Sequence, residues 1–349
     1  MAMREYLSTI AGNTALRQRL GRDIEQGALS HAYVLEGPSG IGKSAMAMEM
    51  AMAMACENAK SADHPLPCRT CAACRKIAAG NCPDVIHIRR EEDKATMGVD
   101  TVRALRSDVI TVPNDLHFKI YVVHDAHTMT TQAQNALLLT LEEPPAFVRF
   151  LLLCENADAM LETIRSRAPI LRMQPVPNEK IRRHLLSLEG TAGRAASELL
   201  RSAPDDFAAI LRMANGRIGA ALELLDEAKR TPLLENRRDV LEICRLLADR
   251  ARPDELLSVL LSFGKKREEV LSKLALLKTA LRDLLLLHYS DTAEPLFFTD
   301  RESAIEQSTR FTARSLLQTI EAVDSTVAGL GSNANVRLML IQLLGKLTN

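Results

Sequence analysis

A glycine-rich stretch near the start of the chain has the residue types that hold phosphate groups. It fits the pattern G-x-x-x-x-G-K-[ST] at every fixed position, with Gly37, Pro38, Ser39, Gly40, Ile41, Gly42, Lys43 and Ser44 in order. Glycines let successive backbone N–H groups turn toward one anion, and a following helix points its positive end at the same phosphates. The lysine reaches the terminal phosphates and the serine holds a magnesium ion. The stretch therefore predicts binding of ATP with Mg²⁺, and it leaves hydrolysis open.

Four cysteines form a second candidate site. Three of them have the spacing C-x2-C-x2-C and the fourth lies upstream; they are Cys56, Cys68, Cys71 and Cys74. Four thiolates suit a tetrahedral zinc ion, and no catalytic base stands beside them in the sequence, so we predict a structural zinc site. Two alternatives stay open at this point. The cysteines are free buried thiols, or His64 or Cys82 replaces one of the four ligands.

A carboxylate follows a β-branched run that predicts a buried strand. The run is 119–124, and Asp125 comes directly after it, where it suits indirect magnesium binding beside a phosphate loop. The next residue is Ala126, whose side chain cannot polarise an attacking water. His127 could act as a base instead, but a role in packing or helix entry is the favoured interpretation. We therefore expect nucleotide binding without independent catalysis.

Five apolar runs separated by helical patterns supply the elements that would position these residues. The runs are about 32–35, 84–88, 119–124, 147–154 and 169–173. They predict an α/β fold with a parallel five-stranded sheet whose ligands lie at the carboxyl ends of the strands. Residues 5–30 have a helical pattern. The methionines after Ser44 alternate as in a strand, but alanine and methionine favour helices, so we predict a helix there.

The second half of the chain has a helical pattern. A helix is predicted to open with a capping box at Thr131–Gln134 and to end before Pro144. Past Pro175 the strand patterns fade, and Thr231–Pro232 predicts a break between helices. Four short helices are predicted before that break, at 181–188, 195–200, 204–214 and 219–229. The predicted domains are residues 1–174, with a zinc module at about 56–82, then 175–231, then 232–349.

Composition excludes several classes of function. The 349 residues are 47% hydrophobic and 25% charged, as in an ordinary globular protein, and the formal net charge is zero, so no generally basic surface is available for DNA. Aromatic residues total 3% and tryptophan is absent, which argues against a base-stacking platform. We expect no membrane span and no signal peptide. Seven cysteines without a secretion signal indicate a reducing compartment, and we predict a cytoplasmic location.

Several short motifs occur in a fixed order after the phosphate loop and around the cysteines. They are Asn81–Asp84, Val99–Arg103, Asn135–Leu138, Leu141–Pro145 and Ser166–Arg167. Together the motifs resemble the bacterial DNA polymerase III clamp-loader subunits of the AAA+ class, over about residues 5–225. The resemblance implies a small helical lid after the sheet domain and a C-terminal helical collar through which subunits form a ring. It also implies zinc at Cys56, Cys68, Cys71 and Cys74.

Departures from the family pattern separate two kinds of subunit within it. A motor subunit, called gamma or tau, normally has Asp-Glu where this chain has Asp125–Ala126, and a second sensor arginine where it has Gly219. Arg167 is retained, although Ala168 departs from the family's Ser-Arg-Cys motif. The chain thus keeps the arginine finger that it would lend to a neighbour and lacks parts that it would need itself, which resembles a delta-prime subunit. Its intact phosphate loop departs from delta-prime chains whose loop has degenerated.

The resemblance implies a function in DNA replication. Arg167 would enter the ATP site of an adjacent motor subunit, in an assembly that loads the sliding clamp onto primed DNA. The implied partners are the gamma/tau and delta subunits, and the clamp and DNA are contacted through the assembly. The chain is expected to belong to the polymerase III holoenzyme without carrying polymerase chemistry itself. Two alternatives stay open: a gamma/tau-like ATPase motor, and a zinc-containing nucleic-acid-binding module.

Overall fold

The computed structural model describes residues 4–61, 63–290, 292–332 and 334–348. The described residues fall into two compact units. The first contains residues 4–181 together with 216–220, and the second contains 182–215 and the residues after 220. The predicted division into three domains stays a prediction.

The first unit is built on one parallel sheet of five strands in the order β2-β3-β4-β1-β5. The strands are β1 (Ala32–Glu36), β2 (Val85–Ile88), β3 (Lys119–Val123), β4 (Val148–Cys154) and β5 (Ile170–Arg172). All four strand pairs are parallel, as predicted. The strands β1, β3 and β4 are buried on both faces, which explains their nearly continuous apolar sequences.

Helices cover both faces of this sheet. They are α1 (Thr14–Glu25), α2 (Lys43–Ala55), α3 (Ala72–Ala78), α4 (Val99–Val109), α5 (Thr131–Glu142) and α6 (Glu162–Arg165). Apolar residues of α1, α2 and α3 share one core with one sheet face, and those of α4, α5 and α6 share a second core with the other face. The helix predicted for the alternating methionines is confirmed as α2. Its alanine and methionine side chains are almost all buried.

The prediction of a continuous helix over 5–30 is wrong at its start. Leu7 and Asn13 have φ values of 49° each, in the left-handed region that a right-handed helix excludes. The N–H of Leu7 donates to the carbonyl of Leu66 at 2.7 Å, and the N–H of Leu66 donates to the carbonyl of Glu5 at 2.9 Å. Pairing with this distant loop therefore replaces helical hydrogen bonds before Thr14.

The rest of the described chain is helical. The helices are α7 (Asn178–Ser187), α8 (Gly190–Ser202), α9 (Pro204–Ala214), α10 (Ile218–Glu223), α11 (Glu227–Ala248), α12 (Pro253–Leu261), α13 (Arg267–Tyr289), α14 (Arg301–Thr309), α15 (Ala313–Gly331) and α16 (Val336–Leu347). The predicted break at Thr231–Pro232 is wrong, because α11 continues through Pro232. Proline removes one helical hydrogen bond, but burial of Leu234, Val240 and Ile243 on the same helix offsets that loss. Within the described residues, no helix has both the length and the apolar character of a membrane span.

Candidate functional site

The glycine-rich stretch forms the turn between β1 and α2, as its pattern predicts. Gly40 and Gly42 have φ values of 77° and 107°, in the region that favours glycine, and α2 begins directly afterwards at Lys43. The N–H of Gly37 donates to the carbonyl of Cys154 at 3.1 Å, which fixes the loop to the end of β4. Ser44 is exposed at the first turn of α2. The backbone therefore forms a glycine-rich turn between a strand and a helix at the carboxyl end of the sheet, and its binding of phosphate stays a prediction.

The lysine of this loop is held by the loop itself. The Nζ of Lys43 donates to the carbonyl oxygens of Gly37 at 2.6 Å and Pro38 at 3.0 Å. Burial lowers the pKa of Lys43, while the charges of Glu155 and Asp125 oppose that shift. A phosphate would replace the two carbonyl oxygens as the acceptor for the ammonium group. The two carboxylates in electrostatic reach are the type of group that a magnesium ion requires.

Asp125 lies two residues beyond the end of β3, and it is an exposed residue with a φ of 48°. The preceding His124 is buried, and its Nε2 lies 3.0 Å from the Nδ1 of His87. Burial lowers the pKa of His124 to about 4, with Arg89 and His87 acting in the same direction and Asp125 opposing. His124 is therefore neutral at neutral pH.

The residue after Asp125 faces away from the site. Ala126 is fully buried in the apolar core that also contains Met129 and Met160. His127 is half-buried, and its Nδ1 accepts the N–H of Glu155 at 3.4 Å. This contact agrees with the favoured interpretation of His127 as a packing residue. Ala126 carries only a buried methyl group, which cannot polarise a water molecule.

We expect that Ala126→Glu does not create ATP turnover and that it lowers the free energy of unfolding by roughly 3 kcal/mol or more. The added carboxylate would be buried without a partner in a filled core. Urea unfolding and a steady-state ATPase assay measure the two effects. Ala159→Glu is the matched control, because Ala159 is exposed in a neighbouring turn. Equal stability of the two variants would contradict the buried position of Ala126.

A second glycine lies against the phosphate loop from a distant part of the chain. The N–H of Gly219 donates to the carbonyl of Gly40 at 2.7 Å. A Cβ atom at Gly219 would lie 2.9 Å from that carbonyl oxygen and 3.0 Å from the Cα of Gly40. Both neighbours are backbone atoms of the loop, so they cannot rotate away. A residue with a Cβ atom would therefore clash with the loop, so only glycine fits at Gly219. This is a steric reason for glycine at the position where the resemblance implies an arginine in motor subunits.

We expect Gly219→Ala to lower the free energy of unfolding by about 1–3 kcal/mol, because the methyl group forces the segment away from the loop and breaks the hydrogen bond to Gly40. Thermal or urea unfolding measures the loss. Gly345→Ala is the control, since a Cβ atom there meets nothing within 4 Å and alanine favours the helix. A neutral effect of Gly219→Ala would show that the segment moves off the loop without cost.

The structure brings together the four predicted cysteines. The sulfur atoms of Cys56, Cys68, Cys71 and Cys74 are buried and all lie within 4.8 Å of one another. Cys56 follows the last residue of α2, Cys71 is the N-cap of α3, and Cys74 lies in the first turn of α3. Among the described residues, the metal-ligating group formed here contains neither His64 nor Cys82. The two alternative ligands are thus separate from the cluster.

Hydrogen bonds to sulfur favour thiolates in this cluster. Backbone N–H groups donate to the Sγ atoms of Cys56 at 3.5 Å, Cys68 at 3.4 Å and Cys71 at 3.4 Å. Burial raises the pKa of Cys68, but hydrogen bonds from Thr70, Cys71 and Asn58 outweigh it and lower that pKa to about 5. Burial raises the pKa of Cys56 and of Cys74. A cation at the centre would remove this penalty, so the donor set fits a tetrahedral metal ion.

Arg4 holds the loop between Cys56 and Cys68, a contact that the sequence did not indicate. Its guanidinium donates to the carbonyl oxygens of Asn58 at 3.1 Å, Ala59 at 2.8 Å and His64 at 2.8 Å. It also pairs with Glu25 at 2.6 Å, and its side chain is only 7% exposed. These contacts satisfy three carbonyls of the loop at once. No local sequence pattern predicts them, because the partners are more than fifty residues away.

Arg167 lies on an exposed edge of the first unit, after α6. Its Nη2 donates to Oε1 of Glu142 at 2.9 Å, and its Nη1 donates to the carbonyl of Thr163 at 3.0 Å. The side chain is 36% exposed. Glu142 is the last residue of α5, so the guanidinium spans from one helix end to the other. The sequence motif predicted the arginine but not this partner.

The capping box predicted at Thr131–Gln134 is wrong. The N-cap of α5 is Thr130, whose side chain accepts the N–H of Ala133 at 3.2 Å. Gln134 is buried instead. Its Oε1 accepts the N–H of Leu161 at 2.7 Å, and its Nε2 donates to the carbonyl of Ala159 at 3.3 Å. The glutamine therefore fixes α5 to the segment that leads into α6 and Arg167.

Comparison with known proteins finds similarity over the first part of the chain. A family model described as "DNA polymerase III, delta subunit" matches residues 12–177. The first part of the chain is thus similar to DNA polymerase III subunits. A DNA polymerase III subunit gamma of Buchnera aphidicola is 31% identical over 224 residues, which are 64% of this chain and 59% of that protein. A subunit tau of Bacillus subtilis is 32% identical over 219 residues, 63% of this chain and 37% of that protein.

The matched region is less than two thirds of either relative, at 59% and 37% of their lengths. Among solved structures, a DNA polymerase III gamma subunit-related protein of Thermotoga maritima aligns with a TM-score of 0.40 and 18% identity. That alignment covers 95% of this chain and 98% of the other. A TM-score of this size carries no argument about function. The similarity to DNA polymerase III subunits accordingly rests on the sequence matches.

Proposed function

We propose that this chain is a delta-prime-type subunit of the DNA polymerase III clamp loader. It helps to load the sliding clamp onto primed DNA during replication by completing the ATP site of a neighbouring motor subunit. Two features together carry the proposal. Arg167 has a partly exposed side chain that is held by Glu142, and Ala126 is buried. In this proposal the chain offers the group that a neighbour needs, while Ala126, directly after Asp125, has only a methyl group and cannot activate water.

The mechanism places the guanidinium of Arg167 against the phosphoryl group that the neighbour transfers to water. Negative charge develops on the equatorial and leaving oxygens in that transition state, and a fixed cation lowers its energy. Arg167 lies at the end of α6, whose Ile164 is buried in the sheet core. The finger therefore projects from a rigid element, which keeps the entropy lost on engagement small.

The chain's own phosphate loop binds ATP with Mg²⁺ in this proposal. The backbone of 37–42 would surround the phosphates, and Lys43 would exchange its carbonyl partners at Gly37 and Pro38 for phosphate oxygens. Ser44 and Asp125 would hold the magnesium ion. Turnover is negligible because the residue after Asp125 is buried alanine.

The cysteine cluster holds a structural zinc ion in this proposal. Four buried sulfurs within 4.8 Å of one another match the ligand set of closed zinc sites. The ion supplies fold stability to the loop between Cys56 and Cys74, and no proton transfer is assigned to it. A zinc-containing nucleic-acid-binding module remains an alternative, but the net charge of zero supplies no broad basic surface for it.

A gamma/tau-like motor is the second candidate. The intact phosphate loop favours it, and so does the similarity to the two proteins described above, which are a gamma and a tau subunit. A motor hydrolyses ATP with its own residues. Purified chain that turns over ATP briskly, with or without primed DNA, would establish the motor and exclude the proposed role.

Assembly tests the proposal directly. Purified chain is mixed with the gamma/tau and delta subunits of the same organism, and the mass of the product is measured by size exclusion with light scattering. We expect one copy of this chain in a defined complex, which loads the sliding clamp onto primed DNA only when the chain is present. A complex that forms and loads equally well without it would contradict the proposal.

A further inference from the structure

The partner of Arg167 within its own chain is a carboxylate. Glu142 and Arg167 pair at 2.9 Å with side chains that are 47% and 36% exposed. The same guanidinium donates to the carbonyl of Thr163 at 3.0 Å and contacts Oγ of Ser166 at 3.5 Å. A guanidinium has five N–H groups, so these three contacts leave donors for a further acceptor. The side chain is thus anchored without being saturated.

The two residues of this pair lie on elements with a fixed separation. Glu142 ends α5, and Arg167 follows α6. The buried Gln134 of α5 hydrogen-bonds the backbone at Ala159 and at Leu161, immediately before α6. These hydrogen bonds therefore fix the distance between the end of α5, which carries the Glu142 carboxylate, and the backbone of Arg167.

We propose that Glu142 is the positioning residue for Arg167, an inference that rests on the finger role proposed above. Its carboxylate holds one end of the guanidinium while the remaining N–H groups point to the phosphoryl group in the neighbouring subunit. The arginine then enters that site already oriented. Without Glu142 the long side chain samples other rotamers, and part of its rate effect is lost as orientational entropy.

The size of the effect follows from the exposure of the pair. Ion pairs that are exposed to this degree change an equilibrium by a factor of roughly 1.5 to 5. Glu142 acts only through orientation, so its removal costs much less than removal of Arg167. Removal of Glu142 should lower kcat of the neighbouring subunit and leave KM for ATP unchanged. The reason is that the orientation of Arg167 matters more in the transition state than in ATP binding.

The test uses the reconstituted loader with this chain as wild type, Glu142→Ala, Glu142→Gln, Arg167→Ala and the double variant Glu142→Ala/Arg167→Ala. We expect Glu142→Ala to lower kcat of the DNA-stimulated ATPase three- to fivefold with KM for ATP unchanged. Glu142→Gln keeps an acceptor oxygen and loses less. In the Arg167→Ala background Glu142→Ala has no further effect, because its action passes through the arginine. Glu143→Ala is the control, since Glu143 is the adjacent exposed glutamate and makes the same charge change.

Each other outcome has a definite meaning. If Glu142→Ala matches Glu143→Ala, or raises kcat, the positioning role is wrong. A loss that persists in the Arg167→Ala background assigns Glu142 a structural role instead and also overturns the inference. If the loader with Arg167→Ala keeps wild-type ATPase activity, Arg167 is not an arginine finger, and both proposals are wrong. Size-exclusion mass of every variant complex verifies that assembly is intact in each comparison.

Discussion

Replacement of Arg167 by alanine is expected to lower the DNA-stimulated ATPase of the assembled loader by a factor of about 10³ or more. Arginine fingers supplied by a neighbour contribute about 10³–10⁵ to the rate of phosphoryl transfer. The loss falls on kcat, because the guanidinium meets charge that develops only in the transition state. The isolated chain should fold normally, since the side chain is 36% exposed and makes only surface contacts. Steady-state ATPase of the reconstituted complex and thermal unfolding of the single chain measure the two effects.

Two variants make this test specific. Arg165→Ala removes the arginine at the end of α6, two residues before Arg167; Arg165 pairs with Asp158 at 2.9 Å. This variant should leave the ATPase close to wild type. Arg167→Lys keeps the charge but not the planar fork of donors, so most of the loss should remain. Wild-type turnover in the Arg167→Ala complex would mean that the exposed arginine belongs to an ordinary surface ion pair.

Loss of the metal site is expected to have the second largest effect. Cys68→Ser should reduce zinc from one ion per chain to none, because serine is a poor zinc ligand and three sulfurs leave the site open. Structural zinc ions contribute about 10–16 kcal/mol of apparent binding energy in small isolated peptides. In this larger domain the sheet cores persist, so we expect a drop of several kcal/mol in the free energy of unfolding. Elemental analysis and urea unfolding, with and without chelator, measure both changes.

Cys82→Ser is the matched control for that experiment. Cys82 is buried near the module, at 7% exposure, but lies outside the cluster of four sulfurs. The Cys82→Ser variant should keep one zinc ion per chain, and chelator should lower its free energy of unfolding by as much as that of the wild type. Protein that is prepared in zinc-containing medium and holds no stoichiometric metal would contradict the zinc proposal, as would full occupancy in Cys68→Ser.

Local patterns were sufficient for the parts of the fold that depend on neighbours in the sequence. The five strands are continuous apolar runs because both sheet faces are covered. The phosphate loop and the first turn of α2 follow from glycine conformations and a helix start within eight residues. The cysteine cluster also follows from close spacing, with Cys56 brought in by the end of α2.

Contacts between distant residues were outside the reach of the same patterns. Helical periodicity extended to residue 5, but pairing with Leu66 replaces the helix there. Pro232 indicated a break, but burial along α11 outweighs one missing hydrogen bond. From the sequence, Gly219 indicates only that the sensor arginine of motor subunits is missing at this position. The steric requirement for it comes from Gly40, almost 180 residues earlier, and the partner of Arg167 lies twenty-five residues away.

The helix α2 sets a constraint on the length of the chain between the two candidate sites. It begins at Lys43 of the phosphate loop and ends beside Cys56 of the cysteine cluster. Each residue added to or deleted from α2 would rotate Cys56 relative to Lys43 by about 100° around the helix axis and shift it along that axis by about 1.5 Å. A single insertion would aim the cysteine sulfur away from its three companions while the loop stayed in place. The spacing from lysine to cysteine is therefore as fixed as either motif, although Ser44 is the one residue between them to which this proposal assigns a ligand.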